Sequence, residues 1–213
     1  MSDASGRAQP REVLDFWLGP DYASQTEPEQ SRIKMWFTQD DEVDAVARSF
    51  IPEIRAAGAS RLNDQWEEEE GRMAQLILLD QLSRNAFRGE AEAYAYDERA
   101  QQIAMQLIGQ AGDTPQKVPT YVAFFVMTCL MHSESLELHA AADTFAKAHV
   151  AVSGSKILAR QLDDSLPEHT EVLRRFGRYP HRNNMYGRHT TPDEEAWLAS
   201  DECPGWAKSQ TAS

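Results

Sequence analysis

Apolar residues recur at helical intervals along most of the chain, and no stretch shows the strict alternation of a half-buried strand. One clear case is the series Val43, Val46, Phe50 and Ile54, spaced three or four residues apart. Such spacing puts the four side chains on one helix face. Pro52 lies inside this series, and because proline lacks a backbone N–H it should kink the helix or split it in two. The apolar pattern therefore predicts an all-α protein.

Prolines, glycines and capping residues mark where the predicted helices begin and end. Pro10 fits a first turn, and Thr191 with Glu194 fits a capping box. The helical stretches are 9–20, 26–37, 40–58, 67–89, 90–112, 118–150, 168–177 and 191–200. The stretch 118–150 is long enough for two helices or one bent helix.

Stacked antiparallel helix pairs in one domain, residues 9–203, are the predicted architecture. Residues 1–8 and 204–213 are predicted to be loose tails.

Composition and charge narrow the classes of function. The 213 residues carry a formal net charge of −13, which disfavours general binding of nucleic acid or anionic membranes. The longest apolar run, 121–131, is shorter than the roughly 20 residues that a membrane span requires. Cys129 and Cys203 match no metal-ligand spacing, and the first residues resemble no targeting peptide. We expect a soluble, cytoplasmic protein with a buried free thiol at Cys129.

The first polar segment, residues 78–89, interrupts an apolar helix. Asp80 and Arg84 are four residues apart, as are Arg84 and Arg88, so these pairs share a helix face, with Asn85 beside them. Either the segment contributes to a site, or it holds only an ordinary ion pair and a cation near a helix end.

The second polar segment, residues 130–139, follows the most apolar run of the chain. It contains His132, Ser133, Glu134 and His139. Two histidines seven residues apart do not have the i,i+4 spacing of a helical zinc-binding motif, so no metal is predicted. His132 is then either a satisfied core histidine or an acid/base group, for which Ser133 and Glu134 could fix the tautomer. Burial should lower its pKa and keep the ring neutral.

The third polar segment, residues 174–195, concentrates arginine in an acidic chain. Arg175 and Arg178 lie near a helix end at Gly177, and a loop or short turn follows. That turn carries His181, Arg182, Asn183, Asn184 and Arg188. Arginine suits carboxylate or phosphate groups that must be held by two bonds. The alternative is that these arginines pair with the acidic block Glu67–Glu70 across a helix interface.

These segments resemble the bacterial family of uncharacterised proteins known as DUF924. The matching stretches are VLDFWLG (13–19), WF (36–37), LLDQLSRNAFRG (78–89), LMHSE (130–134), His169 and RFGRYPHRNNMYGR (175–188). The resemblance implies an all-α, tetratricopeptide-like fold of stacked helices and brings no established activity. Ser83 and Cys129 stand where the family typically has proline, so the backbone that directs Arg84 or His132 is expected to differ here.

Two functions fit the polar segments. The first is a cofactor-independent acid/base enzyme, an isomerase, lyase or hydrolase, that binds an anionic small molecule in a pocket where the segments converge. Its predicted catalytic residues are His132, Glu134 and His181. Its predicted substrate-binding residues are Asp80, Arg84, Asn85, Arg88, Arg175, Arg178, Arg182 and Asn183. The second is a tetratricopeptide-like module that binds an acidic peptide or a protein C-terminus. Substrate identity and oligomeric state stay open.

Overall fold

Packed α-helices make up the chain in a computed structural model that describes residues 7–211, with side chains as far as residue 208. The α-helices are α1 Pro10–Trp17, α2 Gln30–Phe37, α3 Asp41–Ser49, α4 Ile51–Gly58, α5 Glu69–Leu76, α6 Ser83–Ala86, α7 Asp97–Ala111, α8 Thr120–Met131, α9 Leu136–Ser153, α10 Lys156–Arg160, α11 Leu166–Phe176, α12 Pro192–Leu198 and α13 Gly205–Thr211. Residues 7–211 contain no β-strand, and the prediction of an all-α fold is confirmed.

Shorter helical turns join several of these helices. The 3-10 turns are Asp64–Glu67, Ala91–Tyr94, Pro115–Lys117 and Pro180–Arg182. Two π-helical segments, Ile77–Leu82 and Gln161–Ser165, each connect two α-helices directly. The stretch 67–89, predicted as one helix, is therefore α5, a π segment and α6 in succession. Helical periodicity could not reveal this, because a single widened turn is too short to show a period of its own.

Pro52 and Asp40 act at the ends of α3 and α4 as their chemistry predicts. Pro52 occupies the first turn of α4, and the predicted helix is split at Phe50 into α3 and α4. Asp40 caps α3, since its carboxylate accepts hydrogen bonds from the backbone N–H groups of Glu42 and Val43.

The main core is built around α8, in which every residue is buried. Helix α8 packs against α7 and α9, while α5 packs against α1 and α7. The stretch 118–150 therefore forms two helices, α8 and α9, with His132 at the end of the first. No helix in the described part of the chain combines the length and apolar content needed to cross a membrane.

A smaller core lies at the C-terminal end of the chain. It consists of Val172, Leu173, Tyr179, Trp197, Cys203 and Ala207. Within the predicted C-terminal tail, residues 204–213, Gly205–Thr211 form α13, which packs into this core through Ala207. Trp206 also donates its indole N–H to Glu168 at 2.6 Å. Of the predicted N-terminal tail, residues 1–6 lie outside the described residues, and the backbone N–H of Ala8 donates to Glu53 at 3.0 Å.

Candidate functional site

The three polar segments meet at one place in the fold. His132 Nδ1 lies 2.8 Å from Asp80 Oδ1, and Arg182 Nη1 donates to the carbonyl oxygen of His132 at 2.8 Å. Arg84 and Arg182 both contact Asp97, at 2.9 Å and 3.3 Å. We call these five residues the Asp80–His132 cluster. The predicted convergence of Asp80, Arg84, His132 and Arg182 is therefore present.

Asp80 lies inside the π segment Ile77–Leu82, and its side chain is only 1% exposed. Its carboxylate also accepts from Gln81 Nε2 at 2.6 Å and lies 3.4 Å from Arg84 Nη1. Burial alone would raise the pKa of Asp80, but His132, Arg84 and the hydrogen bonds outweigh it and hold the pKa below its usual range. Asp80 is therefore an ionised carboxylate in the core.

His132 caps the C-terminus of α8, and its side chain is 18% exposed. Burial lowers the pKa of His132, and Asp80 offsets this only in part, so the ring is neutral at pH 7. An ionised carboxylate can only accept, so Nδ1 must carry the proton that Asp80 binds. Among the described residues, Nε2 has no hydrogen-bond partner and keeps its lone pair.

Ser133 and Glu134 do not fix the His132 tautomer, contrary to the sequence-based interpretation. Glu134 accepts two hydrogen bonds from Arg188, at 2.6 and 2.8 Å, and a third from the backbone N–H of Tyr179 at 2.9 Å. These contacts hold the pKa of Glu134 below its usual range despite its burial. Glu134 therefore ties the second polar segment to the third, and Asp80 takes the orienting role.

Side chains from two other elements bind the last carbonyl groups of α8. The carbonyl of Met131 accepts from Tyr179 Oη at 2.6 Å and contacts His139 Nε2 at 3.0 Å. With the bond from Arg182 to the His132 carbonyl, these contacts satisfy acceptors that a helix C-terminus leaves open. A cation also suits the negative end of the helix dipole. Three side chains, those of Tyr179, His139 and Arg182, thus contact the backbone carbonyl groups at the end of α8.

Asp97 is the residue of the cluster that the sequence did not single out. It is the first residue of α7, where an acidic side chain is usual at a helix N-terminus. Its position between Arg84 and Arg182 depends on a contact across 85 residues of sequence. With the aspartates and arginines counted at their formal charges and His132 counted as neutral, the charges of the cluster sum to zero.

Two of the predicted substrate-binding residues lie in a different group. Asn85 Nδ2 donates to Asp44 Oδ1 at 2.9 Å, and Arg88 binds the same carboxylate through two bonds of 2.8 and 2.9 Å. Asp44 belongs to α3, so these contacts hold α3 against α6. Within residues 7–211, neither Asn85 nor Arg88 forms a side-chain hydrogen bond or ion pair with the Asp80–His132 cluster.

The remaining predicted residues of the third polar segment also pair within the protein. Arg178 binds Glu194 through two bonds of 2.6 and 2.8 Å, and Asn183 Nδ2 donates to the same carboxylate at 3.2 Å. Arg175 contacts Glu202 at 3.1 Å on the surface. Arginine–acid pairing was the alternative drawn from the sequence, but the partners are not the block Glu67–Glu70.

His181 lies among aromatic rings in the smaller core. Its ring centroid is 5.6 Å from that of Tyr179 and 5.3 Å from that of Trp206. Its side chain is buried there.

Two open cavities lie outside the Asp80–His132 cluster. One, of about 460 Å³, runs between α9 and α11. It is lined by Leu136, His139, Ala140, Asp143, Thr144, Leu166, Pro167, Thr170 and Arg174. The other, of about 560 Å³, lies beside Arg178 and Glu194. In the described part of the chain, no three His, Cys, Asp or Glu side chains are grouped so as to hold a metal ion.

Comparison with known proteins places the chain in a family. Residues 13–202 match the family described as "Bacterial protein of unknown function (DUF924)", and the chain belongs to it. A similar solved structure is that of the protein of unknown function ATU0120 from Agrobacterium tumefaciens, with a TM-score of 0.69 and 29% sequence identity. The match covers 89% of this chain and 96% of that one. No curated protein matches significantly.

Proposed function

We propose that the protein is an acid/base enzyme acting on an anionic small molecule, with His132 as its general base. The observation that carries the proposal is the 2.8 Å contact between Asp80 Oδ1 and His132 Nδ1. A buried carboxylate that binds one ring nitrogen fixes the tautomer and leaves the other nitrogen free to take a proton. The same carboxylate stabilises the imidazolium that forms when Nε2 is protonated.

Arg84 supplies the second requirement of such chemistry, a positive charge beside the base. It lies 3.4 Å from the same Asp80 oxygen that His132 contacts, and its side chain is 16% exposed. Negative charge that develops on a substrate as its proton leaves is stabilised by a fixed cation in a partly desolvated site. Return of the proton to another atom gives an isomerisation, and departure of a leaving group gives an elimination.

The π segment that carries Asp80 supports a functional role for the cluster. Such single widened turns are rare in proteins and occur often at functional sites. Here the turn puts an ionised carboxylate among six buried residues, Ile77–Leu82. A hydrophobic side chain would pack there without the cost of desolvating a charge.

A peptide-binding module is the second candidate, and the cavity between α9 and α11 is the observation that favours it. Its lining combines apolar side chains with the cation Arg174, which could receive an acidic peptide. Arg174 also lies 3.7 Å from Glu171, which competes for its charge. The enzyme proposal ranks first because its central groups are buried and fixed.

Solvent exchange tests the enzyme proposal without knowledge of the product. The protein is incubated in D₂O with a panel of small carboxylic acids and phosphate esters, and NMR follows deuterium entering C–H positions next to the acidic group. We expect exchange with at least one compound, and loss of that exchange in His132→Gln. The control is His189→Gln, since the side chain of His189 is exposed. Exchange that persists in His132→Gln, or its absence across the panel, would overturn the proposal.

A further inference from the structure

Three arginines of this chain bind a carboxylate through the Nε–Nη2 edge of the guanidinium. Arg55 binds Glu92 through Nε and Nη2 at 2.8 and 2.9 Å. Arg88 binds Asp44 through the same two atoms, at 2.8 and 2.9 Å. In each case a planar carboxylate lies against two parallel N–H groups, the geometry that makes such pairs strong. Arg178 and Glu194 form a third pair of this kind, at 2.6 and 2.8 Å.

Arg182 has the same edge, but nothing in the described part of the chain pairs with it. Its contacts to Asp97 and to the carbonyl of His132 are both made by Nη1. Nε is fully buried without a hydrogen-bond partner, and no hydrogen bond is formed by Nη2 within residues 7–211. The side chain is only 5% exposed. An unpaired N–H of a buried cation is costly, because the group has lost its water without gaining a partner.

Two aromatic rings restrict how a ligand could bind this guanidinium. The Cζ atom of Arg182 lies 4.7 Å from the ring centroid of Tyr179 and 5.1 Å from that of Tyr94. Contacts with both rings leave the edge of the guanidinium, rather than its faces, for hydrogen bonding. The cluster reaches solvent at His132 and Arg84, whose side chains are 18% and 16% exposed.

We propose that the Nε–Nη2 edge of Arg182 binds the carboxylate group of a ligand. The interpretation of this edge as a substrate subsite rests on the proposed function, in which His132 is the general base. Nη1 of the same guanidinium donates to the backbone carbonyl of His132. The charges favour a carboxylate over a phosphate. The cluster is neutral before binding, so a carboxylate brings one negative charge into it. A phosphate dianion would bring two, which costs more in a desolvated site.

The arginine Nε–H resonances of the wild-type protein test this directly. Acetate, propionate, succinate and inorganic phosphate are added separately, and NMR follows the Nε–H signals of Arg182 and Arg178. We expect a saturable downfield shift of the Arg182 signal with at least one carboxylate, a smaller one with phosphate, and none for Arg178, whose edge is filled by Glu194. No shift at Arg182, or equal shifts at the two arginines, would overturn the proposal.

A matched pair of variants separates this proposal from the enzyme proposal. Arg182→Lys keeps a positive charge and a donor for the His132 carbonyl but loses the planar edge. We expect at least about tenfold weaker carboxylate binding in Arg182→Lys and unchanged binding in Arg55→Lys, a difference of roughly 1.4 kcal/mol. If a carboxylate binds at Arg182 but no solvent exchange occurs, the carboxylate site is supported and the enzyme proposal is wrong. If Arg182→Lys retains both solvent exchange and carboxylate binding, the carboxylate site at Arg182 is wrong and the enzyme proposal stands.

Discussion

The imidazole of His169 stacks on the indole of Trp206, with ring centroids 3.8 Å apart and planes inclined by 13°. Through this contact α13 covers a histidine of α11 that is itself buried. The third polar segment runs along the chain from the end of α11 towards α13. Its Tyr179 ring lies 5.7 Å from that of Trp206. The C-terminal helix therefore supports the segment that binds the end of α8.

Replacing Trp206 should weaken the fold measurably. Trp206→Ala removes the stacking on His169 and the hydrogen bond to Glu168, and the half-buried indole makes the expected loss about 1–3 kcal/mol. Urea denaturation of the variant and the wild type measures it. Trp206→Phe, which keeps a ring, should recover part of the loss. If Trp206→Ala is as stable as the wild type, the contacts of Trp206 contribute nothing to the stability of the fold.

The stability of the protein should fall as the pH drops below about 6.5. Burial lowers the pKa of His169 to about 3, against an ordinary value of 6.5, although its bond to the Ser165 carbonyl acts in the opposite direction. The unfolded chain therefore takes up a proton between these pH values, whereas the folded chain does not. This contribution is complete above pH 6.5 and is lost at up to about 1.4 kcal/mol per pH unit towards pH 3.

Denaturation at pH 7, 6 and 5 should reveal that slope. His169→Phe preserves a ring for Trp206 and removes the titrating group, so its stability should depend less on pH than that of the wild type. His189→Gln serves as control because the side chain is exposed. Equal slopes in the wild type and His169→Phe would show that His169 does not cause the loss.

Asp80→Asn should destabilise the protein more than the loss of a surface charge. The substitution removes the carboxylate that His132 and Arg84 share in the core and leaves Arg84 with Asp97 alone. Breaking a buried ion pair by removing one partner costs about 3–5 kcal/mol. The control, Asp143→Asn, breaks an exposed pair with Lys147 and should cost less than about 1 kcal/mol. Similar losses in both variants, measured by denaturation, would contradict the assignment of Asp80 as a buried, ionised group.

Arg88 should prove independent of His132. Its two bonds go to Asp44, and in the described part of the chain it forms no hydrogen bond or ion pair with the Asp80–His132 cluster. Arg88→Lys should therefore leave the NMR signals of the His132 imidazole unchanged, whereas Arg84→Lys should shift them. A shift of similar size in both variants would show that Arg88 and the Asp80–His132 cluster belong to one site, contrary to this prediction.

The fold was largely predictable because helix signals are local. The split at Pro52 and the capping box of Thr191 and Glu194 are both present, since each depends on residues within one or two turns. The π segment and α13 were missed. A single widened turn leaves no clear periodicity, and α13 is stabilised by Trp206 contacts that cross from distant helices.

The site was predictable in part for a related reason. Residue chemistry indicated that Asp80, Arg84, His132 and Arg182 were too polar for packing alone, and the structure brings them together. It could not indicate their partners, since Asp97 lies in a different helix and Glu134 turns towards Arg188 rather than His132. Which arginine edge stays unpaired is likewise a property of the assembled fold.

The protonation state of the His132 ring at pH 7 tests the central claim most directly. Long-range ¹H–¹⁵N NMR of the imidazole distinguishes a protonated ring nitrogen from one with a free lone pair. We predict a neutral ring with the proton on Nδ1, facing Asp80, and an unprotonated Nε2. A cationic ring, or a proton on Nε2, would contradict the assignment of His132 as the general base.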